Sequence, residues 1–280
     1  MGRLIAFFAP FAIGGVFVLA LLFGAFMPRD TVAPDPAVAL HREAKEVSFR
    51  SDGAFGTFDR AQLQRGFKVY REVCSACHSL HFVAFRDLSA LGFSAAEIKA
   101  IAKTNDQPAI DEKTGDATTR PGLPADRFYG PYANEVAARA ANNNALPPDL
   151  SLMTKAREHG NRYVYSLLTG YAKAPAGWTV PAGLHYNPYF KSINIAMTPP
   201  LTSEGQVEYT DGTKPTVNQM AQDVSAFLIW TAEPKLEERH RTGFGAVIFL
   251  LIMTGLGYLS YRRVWAEIKY KTKKGEIASA

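Results

Sequence analysis

Both cysteines of this 280-residue chain lie in one short motif, Cys74-Ser75-Ala76-Cys77-His78. Two thiols one helical turn apart can add to the two vinyl groups of a haem, and the next imidazole can bind its iron. Two other readings fit less well. A redox-active C-x-x-C pair normally accompanies a βαβ pattern, which is absent, and a zinc site needs ligands beyond this single cysteine pair. The motif therefore predicts one covalently bound haem c, with His78 as an iron ligand.

An electron-transfer haem needs a second axial ligand, and thioether sulfur is a usual choice that raises the reduction potential. Of the six methionines, Met197 ranks first because it lies in an extended, proline-bounded loop, residues 194–200. Met153 and Met220 lie in helix-like patterns and are expected to pack in the core. The rival histidines are His81, His159 and His185, of which His81 is too near the attachment site to reach the opposite face of the haem.

Two amphipathic patterns predict the helices that position the motif. One helix is expected over Ala61–Val73 with Asp59 as its N-cap, and the other over Val217–Thr231, ending before Glu233-Pro234. Because glycine permits close approach, the two helices are expected to cross. The contacts expected there are those of Gly66 and Tyr70 with Phe227 or Leu228.

Two long uncharged stretches lie near the ends of the chain. Residues 242–261 form a run of 20 without charge, which is long enough to cross a bilayer as a helix. Residues 4–28 are also uncharged, and the segment 1–39 is predicted to be either a signal peptide, with Ala37-Val38-Ala39 as its cleavage site, or an uncleaved anchor.

The net charge of +5 at first suggests a nucleic-acid-binding protein, but its distribution does not. Residues 262–280 contribute +4, residues 40–241 only +1, and residues 1–39 nothing. A basic tail just after a hydrophobic segment stays in the cytoplasm and fixes the topology. The predicted organisation is thus an exported domain over 40–241, a transmembrane helix over 242–261 and a cytoplasmic tail over 262–280.

Several longer segments make the chain resemble the cytochrome c1 family, the haem subunits of cytochrome bc1 (quinol–cytochrome c reductase) complexes. The segments that carry the resemblance are FGTFDRAQLQRGFKVYREVCSACHSL (55–80), AARAANNNALPPDLSLMTKAREHG (137–160), YVYSLLTGY (163–171), NPYF (187–190), AMTPPL (196–201) and QDVSAFLIWTAEP (222–234). Their order and spacing, closed by one carboxy-terminal anchor, are far more specific than the haem motif alone. The resemblance implies a mainly α fold, a class I cytochrome c-like haem domain with long loops.

The resemblance also implies a role for individual residues. Cys74 and Cys77 would hold the haem, with His78 as proximal and Met197 as distal ligand. The residues implied around the haem are Asn142, Pro147 and Pro148 at its edge, Arg157 on a propionate and Tyr163 beside that arginine. Without the family context, Arg157 would be interpreted as a surface residue and Tyr163 as a core residue. Residues 105–116 depart from the expected acidic docking patch because Lys113 interrupts them, so no docking residues are assigned.

The function implied is that of an electron-transfer subunit in a respiratory or photosynthetic membrane complex. Electrons would pass from a Rieske iron–sulfur subunit through the haem to a cytochrome c, in a dimeric complex that also contains cytochrome b. The chain would not be an enzyme on its own, and no nucleic acid is expected as a partner. The haem domain would lie on the periplasmic side of a bacterial inner membrane. The alternatives are another membrane-anchored monohaem cytochrome, such as an oxidase subunit, and a haem-based ligand sensor.

Overall fold

The structure, a computed structural model, describes residues 2–27 and 36–278 and forms two compact units, residues 1–39 and 40–280. The first unit contains helix α1 (Gly2–Phe26), and the short helix α2 (Pro36–Leu40) crosses the boundary. Residues 1, 28–35 and 279–280, which belong to the predicted terminal segments, lie outside the described residues. Whether residues 1–39 are a signal peptide or an anchor stays a prediction.

The larger unit is mainly helical, which confirms the predicted fold class. Its helices are α3 (Arg60–Glu72), α4 (Ala95–Lys103), α5 (Glu135–Ala141), α6 (Gly160–Leu168), α7 (Val217–Ala232) and α8 (Leu236–Ala278), with 3₁₀ turns at Cys74–Ala76 and Phe85–Leu91. Its strands are β1 (Leu80–Ala84), β2 (Asp106–Ile110), β3 (Ala117–Pro121), β4 (Arg127–Phe128), β5 (His185–Tyr186) and β6 (Asn194–Ile195). They form antiparallel pairs, β1 with β4, β2 with β3 and β5 with β6, and Asp106 pairs with Pro121 at the base of the second pair.

Helices α3 and α7 begin and end where local sequence signals predict. The Asp59 carboxylate caps α3 by accepting hydrogen bonds from the backbone N–H groups of Ala61 and Gln62. The Thr216 hydroxyl caps α7 by accepting from the N–H of Gln219. Side-chain oxygens at this position satisfy N–H groups that have no partner within the helix.

The predicted crossing of α3 and α7 is confirmed at Gly66. A Cβ atom on Gly66 would lie 2.1 Å from the Asp223 carbonyl oxygen and 2.7 Å from the Phe227 Cβ, so only glycine fits without a shift. One helical turn later, the ring centroids of Tyr70 and Phe227 are 5.8 Å apart. Across the same crossing, Arg65 donates to the fully buried carboxylate of Asp223 at 2.9 Å.

An aromatic cluster fills the core beneath this crossing. Phe67, Tyr70 and Phe227 are joined by Phe128 and Phe85, whose ring centroids lie 4.2 Å apart. Since Tyr70 and Phe67 lie on the buried face of α3, the same side chains that build the core also fix the end of α3 from which the cysteine motif continues.

Helix α8 is the only helix, among residues 2–27 and 36–278, that is long and apolar enough to cross a membrane, over Leu236–Ala266. The apolar stretch Ile13–Phe26 of α1 is shorter. Helix α8 begins before the predicted span at 242 and continues past 261, so the described part of the basic tail extends it without a break.

Candidate functional site

The two cysteines lie on a single 3₁₀ turn that continues directly from α3. The Cys74 carbonyl accepts hydrogen bonds from the backbone N–H groups of Cys77 at 3.1 Å and of His78 at 2.9 Å. Both cysteines are free thiols, and both are half-buried. Burial raises the pKa of the Cys74 thiol to about 12, with a smaller effect from Cys77. The turn thus presents two free thiols and one imidazole within five residues.

Among the residues that the structure describes, the His78 imidazole is held through one of its nitrogens. Nδ1 lies 2.7 Å from the carbonyl oxygen of Pro148, which can only accept, so Nδ1 carries the proton and donates it. Burial lowers the pKa of His78, and the Pro148 carbonyl partly offsets that effect. A neutral ring that donates from Nδ1 has a lone pair at Nε2, which is the form that binds metals. The ring is therefore prepared to ligate through Nε2.

Asp149, the residue after Pro148, fastens its own segment to the residues that follow the motif. Its Oδ2 accepts from the Ser79 hydroxyl at 2.7 Å and from the His81 N–H at 2.7 Å, and its Oδ1 accepts from the Ser151 N–H at 2.9 Å. Burial by itself would raise the pKa of Asp149, but these hydrogen bonds, that of the His81 N–H foremost, lower it below its ordinary value. We refer to Ser79, His81, Asp149 and Ser151 as the Asp149 clamp.

Asn142 joins the site from the end of α5 through a tyrosine. Its side-chain nitrogen donates to the Tyr132 hydroxyl at 2.9 Å and to the Ala138 carbonyl at 2.7 Å. The Tyr132 hydroxyl in turn lies 3.7 Å from the Cys77 sulfur, to which it donates. The structure thus connects Pro148 to His78 and, by way of Tyr132, Asn142 to the adjacent Cys77.

Met197 lies two residues after β6, in the loop that leads to the buried Leu201. The side chain of Met197 is half-buried, and its carbonyl oxygen accepts a hydrogen bond from the Tyr171 hydroxyl at 3.0 Å. Ile195 and Leu201 are buried on either side of it, so the loop is attached to the domain at both ends.

Arg157 and Tyr163 are neighbours, and Tyr163 is close to Tyr171, which donates to the Met197 carbonyl. Burial raises the pKa of Tyr163, and the exposed Arg157 beside it partly offsets that effect. Tyr171 also has a raised pKa, mainly through burial and further through Tyr163. The predicted residues therefore fall into two separate groups of neighbouring residues. One surrounds His78, and the other surrounds Tyr171 and includes Met197.

The rival ligands have other surroundings in the structure. His81 is half-exposed, belongs to the Asp149 clamp and meets the Tyr129 ring edge-on. His159 is exposed and adopts a positive φ of 51° just before α6, while His185 pairs with Ile195 in the β5–β6 pair. Met220 is fully buried in α7, as expected. Met153 is buried too, but in a turn and not in the helix-like segment expected.

The residues present fit a covalently attached haem. Two free thiols share one turn, the adjacent imidazole has its Nδ1 engaged, and Nε2 remains for iron. Sequence reasoning missed Asp149, Tyr132 and Tyr171. Asp149 lies inside the LPPDL segment quoted for the family resemblance, and its position next to Pro148 was the one available signal.

Comparison with known proteins identifies the family. The model of the cytochrome C1 family matches residues 49–268. "Cytochrome c1 1, heme protein, mitochondrial" of Arabidopsis thaliana is 44% identical, over 91% of this chain and 84% of the plant protein. "Cytochrome b-c1 complex catalytic subunit, mitochondrial" of Candida albicans is also 44% identical, over 92% of this chain and 91% of the Candida protein.

A further relative is a longer protein. "Cytochrome b/c1" of Bradyrhizobium diazoefficiens is 47% identical over 77% of this chain, which spans only 34% of that protein. The family match covers most of the chain, including the cysteine motif, the Asp149 clamp and the Met197 loop. On these grounds the chain belongs to the cytochrome c1 family.

Proposed function

We propose that this chain is the electron-transfer haem subunit of a cytochrome bc1 complex, and that it passes electrons from a Rieske iron–sulfur protein to a cytochrome c. The observation that carries the proposal is the His78 ring, held at Nδ1 by Pro148 beside two free thiols. The alternative of an unrelated anchored cytochrome, such as an oxidase subunit, is not favoured, since the family match spans residues 49–268.

Cys74 and Cys77 would hold the haem through thioether bonds, and His78 and Met197 would bind its iron. When bound, the haem supplies one-electron oxidation and reduction at iron. The chain's own contribution is to keep both ligands in place. His78 is held by Pro148 and by its attachment to α3, and Met197 is held through its carbonyl by Tyr171. Ligands that move little need little reorganisation when the charge at the site changes.

The remaining residues would shape the surroundings of the haem. Pro147 and Pro148 are half-buried and exposed respectively, as suits residues at an accessible edge, and Asn142 would lie near that edge. Arg157 would pair with a propionate, because its planar guanidinium matches a carboxylate with two hydrogen bonds. Tyr163, beside Arg157, would keep that guanidinium oriented.

The name of the Candida albicans relative supports assembly in a bc1 complex, with cytochrome b and the Rieske protein as partners. Helix α8 would anchor the chain in a bacterial inner membrane. The basic residues after 261 would stay in the cytoplasm, which leaves the haem domain on the periplasmic side. A cytochrome c would be the acceptor, and the complex would be dimeric.

Co-purification and electron transfer test the proposal together. The full chain is expressed with a c-type maturation system and with its cytochrome b and Rieske partners, and a tag on this chain is used to isolate the complex. We expect a dihaem cytochrome b and an iron–sulfur protein in the same fraction, and reduction of the haem c by quinol. Isolation of the haem-loaded chain without either partner, or a haem c that quinol does not reduce through them, would contradict the proposal.

A further inference from the structure

The loop between the buried Phe49 and helix α3 contacts the start of α8 and has an exposed aromatic side chain at its tip. Phe55, at its tip, is 78% exposed, and its ring centroid lies 6.0 Å from that of Phe244 in α8. We infer that this loop, residues 50–58, is a membrane-contacting element whose Phe55 inserts into the lipid interface beside α8. The inference rests on the proposed membrane anchoring but not on the haem.

The loop is fixed to the start of α8 by polar contacts. The Glu237 carboxylate accepts from the Phe58 N–H at 2.7 Å and from the Arg60 guanidinium at 2.7 Å. One turn further along α8, the His240 Nδ1 donates to the Gly56 carbonyl at 3.1 Å. These contacts lie at Glu237 and His240, and the next contact along the helix, Phe55–Phe244, lies just inside the uncharged span.

The loop itself is ordered by its own hydrogen bonds. The Phe49 N–H donates to the Asp52 carboxylate at 2.8 Å, and the Thr57 N–H donates to the Arg50 carbonyl at 3.0 Å. Gly56 packs so closely that a Cβ there would lie 2.1 Å from the Ser51 carbonyl oxygen. Because the loop is held in this way, the exposure of Phe55 is a fixed feature of its shape.

The depth of Phe55 follows from the position of the last charge before the span. Arg241 is that charge, and Phe244 lies three residues beyond it. At about 1.5 Å per residue, Phe244 is roughly 4.5 Å further along the axis than Arg241. The twenty uncharged residues span about 30 Å, which equals the hydrocarbon core of a bilayer, so Phe244 and the ring beside it lie at its boundary.

Charge and composition of the loop agree with a lipid partner. The tip residues Gly53, Ala54, Phe55 and Gly56 carry no charge, whereas the charged residues at its base are Arg50, Asp52, Asp59 and Arg60. Aromatic side chains are typical of the zone between headgroups and acyl chains, and arginines at that level can reach phosphates. The loop would therefore be a second attachment to the membrane that restrains the haem domain from tilting about α8.

Site-directed spin labelling in lipid nanodiscs tests the inference. With both native cysteines attached to haem, a cysteine introduced by Phe55→Cys is the only free thiol of the full, haem-loaded chain. Relaxation by oxygen, which concentrates in lipid, is compared with relaxation by a water-soluble nickel chelate. Each relaxation rate is compared with the rate under nitrogen in the same sample, so the contribution of the haem iron cancels. The unsubstituted chain serves as the control for labelling at other sites.

Two further positions calibrate the result. Val136→Cys in α5 is a matched control, because Val136 is also 78% exposed, and Leu251→Cys lies within the span. We expect the oxygen-to-nickel ratio at residue 55 to be several-fold higher than at residue 136 and lower than at residue 251. A ratio at 55 equal to that at 136, or poor access of both reagents to 55, would overturn the inference. A water-like ratio at 251 would contradict the membrane anchoring itself, and the inference would fall with it.

Discussion

Replacing Asp149 by asparagine tests how His78, the proposed iron ligand, is held. An asparagine oxygen at the Oδ2 position can still accept from Ser79 and His81, but its NH₂ group then faces the Ser151 N–H. One hydrogen bond to a charged group is lost, and two become neutral. Hydrogen bonds to charged groups contribute about 1.5–3 kcal/mol and neutral ones about 1 kcal/mol, so these changes together amount to about 2.5–7 kcal/mol. Because the Asp149 side chain is 26% exposed, we expect the free energy of unfolding to fall by an amount near the low end of that range, about 2.5–4 kcal/mol.

The same change should reach the His78 ring through the neighbouring residue. A loosened Asp149 clamp weakens the hydrogen bond from the His78 Nδ1 to the Pro148 carbonyl, which makes the imidazole a poorer donor to iron. We therefore expect the reduction potential of Asp149→Asn to rise relative to the parent chain.

The assay is denaturant unfolding of the full, haem-loaded chain in detergent, together with a redox titration. Asp87→Asn is the matched control, because the Asp87 carboxylate accepts a backbone N–H, that of Ala84 at 2.8 Å, outside the clamp. The control should lose some stability and keep its potential. If Asp149→Asn unfolds at the same denaturant concentration as the parent and has the same potential, the role given to the clamp is wrong.

The clamp also predicts a pH dependence. Because the folded-state pKa of Asp149 is lowered, its carboxylate contributes its full stabilisation at every pH above the ordinary value of 3.8. That contribution is lost as the pH falls below 3.8 through the lowered folded-state pKa. The difference in unfolding free energy between parent and Asp149→Asn should therefore be constant above pH 5 or so and shrink in stronger acid. A difference that grows as the pH falls would contradict this sign.

Three further substitutions test the ligand and the helix crossing. Met197→Leu should lower the reduction potential and let carbon monoxide bind the reduced iron; an unchanged optical spectrum would assign the ligand to another residue. Gly66→Ala should lower the free energy of unfolding by about 3 kcal/mol, since its Cβ would lie 2.1 Å from a backbone oxygen. Gly243→Ala is the control: a Cβ there would have nothing within 4 Å, so the domain should not unfold at a lower denaturant concentration. Arg65→Leu should cost about 3–5 kcal/mol because it leaves the buried Asp223 carboxylate without its cation. The denaturant midpoints of unfolding check the Gly66 and Arg65 predictions. An unshifted midpoint for Arg65→Leu would mean that the Asp223 carboxylate needs no cation.

The elements that the sequence predicts well are those with local signals. Helix α3 follows from its apolar spacing and from Asp59, and α7 from its apolar pattern and the proline that follows it. The crossing was predictable because Gly66 is the one small residue on an otherwise bulky face. The cysteine motif is local as well, since five consecutive residues contain both thiols and the imidazole.

The parts of the site that depend on distant segments were not predictable from spacing. The Pro148 carbonyl meets His78 across 70 residues, and Asp149 meets Ser79 across the same separation. Periodicity carries no information about such pairings, so Met197, Arg157 and Tyr163 came from ranking or from the family resemblance. The β2–β3 pair was also missed, because its strands are short, largely exposed and lack alternation of apolar residues.

Covalent attachment of the haem is the central claim, and the pyridine haemochrome spectrum of the purified full chain, made with a c-type maturation system, tests it most directly. We expect the spectrum of a haem with both vinyl groups saturated, at one haem per chain, and its loss in the double variant Cys74→Ala, Cys77→Ala. A chain that carries no haem after denaturation and acid extraction, or one whose spectrum is that of unsaturated vinyl groups, would contradict the account.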